Sequence, residues 1–409
     1  MTAPLRSSDR DVLRRLASAL RERAERPDMA DRRQLWYAHN ALETTQPLIL
    51  CFPEGAWSEI LPPDRLECED PFARELEMEM RMRLFTADEI GDDSVVEPVL
   101  DIIRAIDLGN FGFDIPVHFG DNRGSYVWQP PIRDLSTARE SLRYRQPRHD
   151  AAETDRRLSL AEEAVGDLLQ VRPRSQIWWS LGLTWKVIEL IGLEALMVAM
   201  IDEPDALHRL MAWIRDEHLH YIQWFEDEGL LSPNHGDQYV GSGGFGYNKK
   251  LTPKGPVRLA DMWGFAESQE TVGVSPDMFA EFILPYQLPI LERLGLNCYG
   301  CCEPLHQRWQ HVKKVPRLRR VSVSPWADQE KMAENLGADY VYSRKPNPAP
   351  VCIGFDEGTI RKDLEYTLDV ARGCCLEIIL KDTHTVEGDL GRFRRWVELA
   401  RQTIFASAR

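Results

Sequence analysis

The chain has 409 residues, 43% apolar and 28% charged, which is more than one small domain needs and enough for a sizeable core. Its formal net charge of −15 argues against a surface that grips nucleic acid or an anionic membrane, since either would need a basic face. Basic segments such as Arg317 to Arg320 are short.

The start, Met1 to Asp11, is polar and charged and lacks the apolar stretch of a secretory signal. The longest apolar region, Val187 to Ile201, is interrupted by Glu189 and Glu194 and is too short for a bilayer. Of the 8 cysteines, those at 301–302 and 374–375 are adjacent pairs, unlike a secreted disulfide framework. A reduced, cytoplasmic protein is expected.

In chain order, Ser7 to Glu25 reads as an amphipathic helix with Val12, Leu13, Leu16, Ala17 and Leu20 on one face and Ser8 or Asp9 as cap. Pro47 to Phe52 is a short apolar strand, and residues 66–90 form a helix. From 105 to 150 the chain is dense in Gly, Pro, Asp and Arg. Residues 1–150 are therefore expected to form a mostly helical extension or cap. Asp155 to Val171 is another helix.

After residue 170 the rhythm changes. Gln176 to Leu181 is a strand, and Leu207 to Phe225 keeps a 3.6-residue period that Gly229 ends. Leu259 to Phe265 is a strand, Pro276 to Leu294 a helix, Leu296 to Cys302 a strand, and Pro304 to Val315 a helix. Val321 to Ser324 is a strand, and Asp328 to Leu336 a helix capped by Asp328 and stopped by Gly337. Tyr340 to Ser343 is a strand, Val351 to Phe355 a short strand, and Thr359 to Arg372 a helix. Leu376 to Leu380 is a strand and Leu390 to Phe405 the last helix.

Short apolar strands alternating with helices imply parallel βα units buried on both faces. No early strand is followed by a glycine-rich phosphate loop, so a closed (β/α)8 TIM barrel over residues 151–409 is expected rather than an open doubly wound sheet. Ligand-type residues gather at two strand ends, Cys298-Tyr299-Gly300-Cys301-Cys302-Glu303 and Lys381-Asp382-Thr383-His384. Strand C-termini are where parallel α/β proteins place their chemistry.

The run from Val274 to Tyr286, VSPDMFAEFILPY, resembles the "SP…F..F.LPY" helix of the uroporphyrinogen decarboxylase superfamily. That superfamily includes zinc-dependent methylcobalamin:thiol methyltransferases. Cys298 to Leu305 resembles their strand ending in His-x-Cys-Gly, and Leu376 to His384 their last catalytic strand. The likeness covers roughly residues 170–405. Trp36 to Trp57 also looks like the lead-in of one branch of the superfamily. Here the His-x-Cys stands as Gly300-x-Cys302, and the second cysteine as His384. The decarboxylases' N-terminal Arg-rich motif has no counterpart.

The resemblance implies a zinc site at the barrel mouth. Zinc accepts Cys, His, Asp and Glu. Cys302 and His384 are the first two candidates, Glu303 or Cys301 the third, and Glu267 a fourth. Against this stands the plainer reading that Cys298, Cys301 and Cys302 pack a strand. Successive strand residues face opposite ways, so Cys301 and Cys302 share a side only if the strand has ended. Asp382 or Thr383 can orient His384, which otherwise caps the next helix. Lys381 can neutralise a carboxylate substrate, or simply sit in solvent. The Gly241 to Gly246 run after His235 lacks the GK[ST] of a phosphate loop and reads as a lid or a plain loop. His218 reads as a core histidine, and Cys374 and Cys375 as structural. Trp178, Trp179, Trp185 and Trp263 are pocket or core residues.

The leading expectation is a zinc-dependent methyltransferase-like enzyme that moves a methyl group from a corrinoid carrier protein to a thiol, with Glu303, Asp382 and Lys381 as catalytic groups. The alternatives are a decarboxylase of a tetrapyrrole or other carboxylic acid, and a barrel that binds a corrinoid or small ligand without chemistry. Expected partners are a small-molecule substrate, the corrinoid protein and a second copy of the chain.

Overall fold

The apolar run LILC at Leu48–Cys51 is buried along its whole length, as a strand covered on both faces must be. The structure is a computed structural model and describes residues 4–43, 46–119, 126–176 and 180–407. We number the eight strands that take part in parallel pairs β1 (Leu48–Cys51), β2 (Val99–Ile103), β3 (Gln170–Arg174), β4 (Trp263–Ala266), β5 (Leu296–Tyr299), β6 (Leu318–Val323), β7 (Val341–Arg344) and β8 (Cys375–Leu380). Six of them form one parallel sheet in the order β1-β8-β7-β6-β5-β4. The register runs Leu48↔Glu377 to Cys51↔Leu380 at one edge and Trp263↔Leu296 to Ala266↔Tyr299 at the other. β2 and β3 pair in parallel as a separate two-stranded sheet.

The expected barrel is met in part. Among the described residues the ladder does not close on itself, and the main sheet has six strands rather than eight. The expected boundary at residue 150 is corrected by β1. It lies within residues 1–150 yet is an edge of the main sheet, hydrogen-bonded to β8. As a four-residue apolar run among helical segments, it carries no local sign of so distant a partner. Of the expected strand Gln176 to Leu181, residues 177–179, with Trp178 and Trp179, lie outside the described residues, and Gln176, Ser180 and Leu181 are not in a strand. Leu181 N–H donates to Phe265 O at 2.7 Å, at the free edge of β4.

Several helices form as their periodicity predicts. Ser7–Ala24 buries Val12, Leu13, Leu16, Ala17 and Leu20. Its expected side-chain cap is absent; Asp9 is buried and accepts the Glu69 and Asp70 N–H groups at 3.0 Å each, tying the helix to the 66–70 turn. Residues 66–70 are accordingly not helical, and the helix is Pro71–Phe85. Pro204–Asp227 is the long amphipathic helix, with Gly229 left-handed just beyond it. Asp328 caps Gln329–Leu336 by accepting the Lys331 N–H.

Proline revises three expectations. Pro276–Phe282 and Leu284–Leu291 are two helices broken at Ile283, because Pro285 has no N–H to continue the first helix and starts the second. Val351 to Phe355 is not a strand; Ala349–Cys352 is a helical turn with Pro350 near its start. Pro304 to Val315 holds only the short turns Leu305–Gln307 and Trp309–Val312. No helix among the described residues is long and apolar enough to cross a membrane.

The two faces of the sheet are covered differently. Ile49 and Cys51 join the core formed with the outer helices, while Leu48, Leu50 and Ile379 face Phe245 and Tyr247. The second face is filled by the glycine-rich loop. A Cβ at Gly241 would lie 2.8 Å from Cys298 Cβ, and one at Gly244 2.8 Å from Arg320 Cζ, with backbone φ of +66° and +98°. Glycine lets this backbone press against the strands. The run is thus a packed plug, neither a lid nor a phosphate loop. Beneath it lies a buried polar chain. Arg320 Nε is 2.9 Å from Glu377 Oε1, and His39 Nε2 is 3.0 Å from Glu377 Oε2. Ser343 Oγ donates to Glu377, and the fully buried Lys345 ammonium donates to Ser343.

Candidate active site

Because the six strands run in parallel, their C-terminal ends deliver side chains to one rim. β5 ends at Tyr299, one residue before Gly300, whose φ of +91° turns the chain sharply. A Cβ on Gly300 would stand 2.4 Å from Leu305 Cδ1. Position 300, where the resemblance puts a histidine ligand, therefore has no room for a side chain. The turn also removes the strand constraint on the two cysteines. Cys301 and Cys302 face each other with their sulfurs 3.7 Å apart.

These thiols are electrostatically unequal. Hydrogen bonding from Cys301 holds the Cys302 thiol below the ordinary cysteine value, helped by the Lys381 charge and opposed by burial. Cys301 is pushed well up by the same bond and by burial. Burial alone would lower Lys381, but the charges of Cys301, Asp382, Glu54 and Cys302 together raise it above the ordinary lysine value. An ammonium beside a thiol favours the thiolate.

Lys381 is positioned by a splice between β8 and β1. Phe52 N–H donates to Leu380 O at 2.8 Å, and Thr383 Oγ1 donates to Phe52 O and Pro53 O at 2.6 and 2.7 Å. Asp382, left-handed at φ +58°, donates its N–H to Glu54 Oε2 at 2.8 Å. Asp tolerates that conformation better than most residues. Lys381 Nζ is then 3.7 Å from Glu54 and 3.9 Å from its own neighbour Asp382.

The carboxylates form a second group. Glu303 is fully buried, with Oε1 accepting the Ser268 N–H and Oε2 the Cys301 N–H, both at 2.9 Å. Burial raises its pKa, and these backbone donors oppose the rise. Glu267 accepts Ser180 Oγ–H at 3.0 Å and the Gln269 N–H at 2.9 Å. Burial, then the charges of Glu270 and Glu303, push it up to about 8.

The structure thus brings Cys301, Cys302, Glu303, Glu267, Lys381 and Asp382 to one rim. His384 is exposed and packs over Gly55, where an added Cβ would meet its Nδ1 at 3.0 Å, and it lies near enough to Glu54 to act on that carboxyl. Among the described residues, no three His, Cys, Asp or Glu side chains are grouped to hold a metal ion. Glu303 and Glu267 spend both oxygens on protein donors, and position 300 carries no side chain. The residues as arranged do not fit the expected zinc.

Sequence reasoning missed Glu54 and Lys345. Glu54 follows β1 just as Glu303 follows β5, a signal hidden while β1 was assigned to an extension. Lys345 ends β7, where the proline-rich sequence reads as a linker. Burial, partly offset by Glu377, lowers it to about 7. Of the other residues singled out, His218 is buried with Nδ1 2.9 Å from Ile214 O, as a core histidine. Trp185 donates to Glu189 at 2.9 Å, and Cys375 contacts His39 at 3.3 Å.

Beside the rim is a cavity of about 1760 Å³. Its wall includes Glu54, Lys381, Phe52, Tyr239, Trp263 and Phe265. It exceeds the roughly 300–1,000 Å³ usual for small-ligand pockets. Lys381 therefore lines the cavity and acts through its charge on the cysteine pair.

No family model and no curated protein matches the chain. Among solved structures, a methyltransferase from Methanosarcina mazei is similar over 90% of this chain and 97% of its own, with a TM-score of 0.51 and 12% identity. At that identity the likeness is one of fold.

Proposed function

We propose that this chain is a methyltransferase-type enzyme that moves a methyl group from a corrinoid carrier protein to a substrate thiol at the C-terminal rim of its sheet. The observation that carries the reading is the Cys301–Cys302 pair set beside Lys381, on a fold shared with a protein named as a methyltransferase. The reading extends to architecture. The six-stranded sheet and the β2–β3 pair supply eight parallel strands, the number in a TIM barrel. Hydrogen bonds from Asp93 N to Ile49 O and from Leu181 N to Phe265 O lie at the sheet's two edges, where such a barrel closes.

A thiol must lose its proton before it can attack carbon. In this mechanism the substrate thiol enters beside Lys381 and passes its proton to the Cys302 thiolate. The substrate sulfur then bonds to the methyl carbon, and the carrier–carbon bond breaks with its electron pair left on the carrier. Lys381 stabilises whichever sulfur is charged, and Cys302 returns the proton to solvent. No step passes through a protein-bound metal.

The test is thioether formation, followed by mass spectrometry, from a methylated corrinoid and a small thiol. Cys302→Ser is expected to cost about a hundredfold in rate, in the range of lost general-base catalysis. Cys374→Ser should leave the rate unchanged. A full rate in Cys302→Ser, or no thioether with wild type, would sink the reading.

A further inference from the structure

The cavity wall carries several arginines, and most are committed. Arg83 donates to Val99 O at 2.6 Å and to Glu97 O at 2.5 Å. Arg174 is paired with Asp101 at 2.5 Å and donates to Pro233 O at 3.1 Å. Arg74 donates to Cys68 O at 2.8 Å and Pro63 O at 2.6 Å.

Arg104 differs. It follows β2, as Lys381 follows β8, and lines the same cavity. Its Nη1 has only two long contacts, to Ser175 Oγ at 3.4 Å and Ser232 Oγ at 3.3 Å. Among the described residues it has no carboxylate partner, and its Nε and Nη2 make no hydrogen bond. These free donors are not sealed in the protein interior, so at the cavity wall they are open to a ligand. Burial and the neighbouring Arg174 charge hold Arg104 below the usual arginine value, consistent with a cation short of counter-charge. The exposed wall is mostly apolar, with Ile103, Ile106, Leu108 and Met262 among its residues; of its carboxylates, Asp101, Asp237 and Glu54 are paired with Arg174, Arg172 and Lys381, and Glu75 and Glu79 also line it.

We propose that Arg104 is the anion anchor of this cavity, and that the ligand is an amphipathic organic anion whose carboxylate meets Arg104 while its apolar body fills the wall. The planar guanidinium suits two parallel hydrogen bonds to a carboxylate. This deepens the proposed function by giving the cavity ligand a charge, and rests on that reading only for the ligand's role as methyl acceptor.

The test is direct binding of a matched pair of fluorescent probes, pyrenebutyrate and pyrenebutanol, to the full chain. They share an apolar body and differ in the charged head. Wild type is expected to favour the carboxylate by about tenfold or more, the range of a charge-assisted hydrogen bond. Arg104→Gln should abolish that preference and keep the alcohol's affinity, while Arg104→Lys should retain part of it. Unchanged binding of the alcohol by Arg104→Gln serves as the check that the cavity is intact; if that variant fails to fold, Arg104→Lys decides alone by an intermediate preference. Equal affinities in wild type, no binding of either probe, or a preference undiminished in both variants would overturn the proposal. Neither outcome depends on methyl transfer, so a failed thioether assay with a positive probe result would remove the reaction and leave the anion site.

Discussion

The sulfurs of Cys301 and Cys302 lie 3.7 Å apart because β5 has already ended before the two cysteines begin. On a continuing strand they would point to opposite faces. Gly300 makes the difference, and a thiol pair with unequal proton affinities results.

The first prediction concerns that inequality. Iodoacetamide should modify Cys302 before Cys301, with a pH–rate midpoint below that of an ordinary cysteine. Lys381→Met should raise the midpoint, because it removes a charge that favours the thiolate, while the hydrogen bond from Cys301 keeps the order of reaction. Peptide mapping across a pH series reads this; a midpoint unmoved in the variant would show that Lys381 does not act on the thiol.

Glu267 gives a pH-dependent stability. Its pKa is about 8 in the fold against 4.5 for an ordinary glutamate. Between those values the unfolded chain is ionised while the fold keeps the proton. The group's stabilising contribution is therefore complete below about pH 4.5 and is lost as pH rises through about 8, by up to about 1.4 kcal/mol per pH unit. Glu267→Gln should gain on wild type in thermal melts from pH 5 to pH 9. A constant difference across that range would contradict the raised value.

Arg320 and Glu377 are a buried ion pair in the middle of the sheet. Arg320→Met should destabilise by about 3–5 kcal/mol, because it strands a buried carboxylate. The double variant with Glu377→Gln should recover part of that loss. Denaturant titration measures both, and a single variant within about 0.5 kcal/mol of wild type would mean that the pair is not desolvated.

Metal dependence is the fourth expectation. Since Glu303 and Glu267 already spend their oxygens on protein donors, and no three candidate ligands among the described residues are grouped to hold a metal ion, a chelator should leave the melting temperature unchanged. Gly300→His, which restores the ligand type of the methyltransferases, should lower the melting temperature through its clash with Leu305 instead of adding a metal. Stoichiometric zinc in wild type, lost in Cys302→Ser, would restore the zinc site.

Most of the later strands were legible in the sequence because each is a short apolar run buried on both faces. β5, β7 and β8 fall within a few residues of their expected spans. The site was legible as two strand ends, because Cys302 and Glu303 follow β5 and Lys381 follows β8. His384 follows a left-handed Asp382 that redirects the chain after Lys381, a conformation that a sequence of this kind does not advertise. The sequence marks β1 as a strand but not its place in the main sheet, since pairing with β8 leaves no local trace. The polar interior was also hidden, because Arg320 and Glu377 sit in runs that otherwise read as buried strands.

The pairing of β1 with β8 also bears on biosynthesis. His39 and Glu377, which meet at this edge, are 338 positions apart. On the ribosome, LILC must wait for the residues between them to be made before its partner exists. Loop closure over that separation is slow, and an unpaired apolar strand is prone to aggregation meanwhile. A chain cut short before residue 375 leaves β1 without its partner strand, so truncated products of this protein should be sticky and short-lived, and expression should depend on chaperones that shelter the nascent N-terminal third.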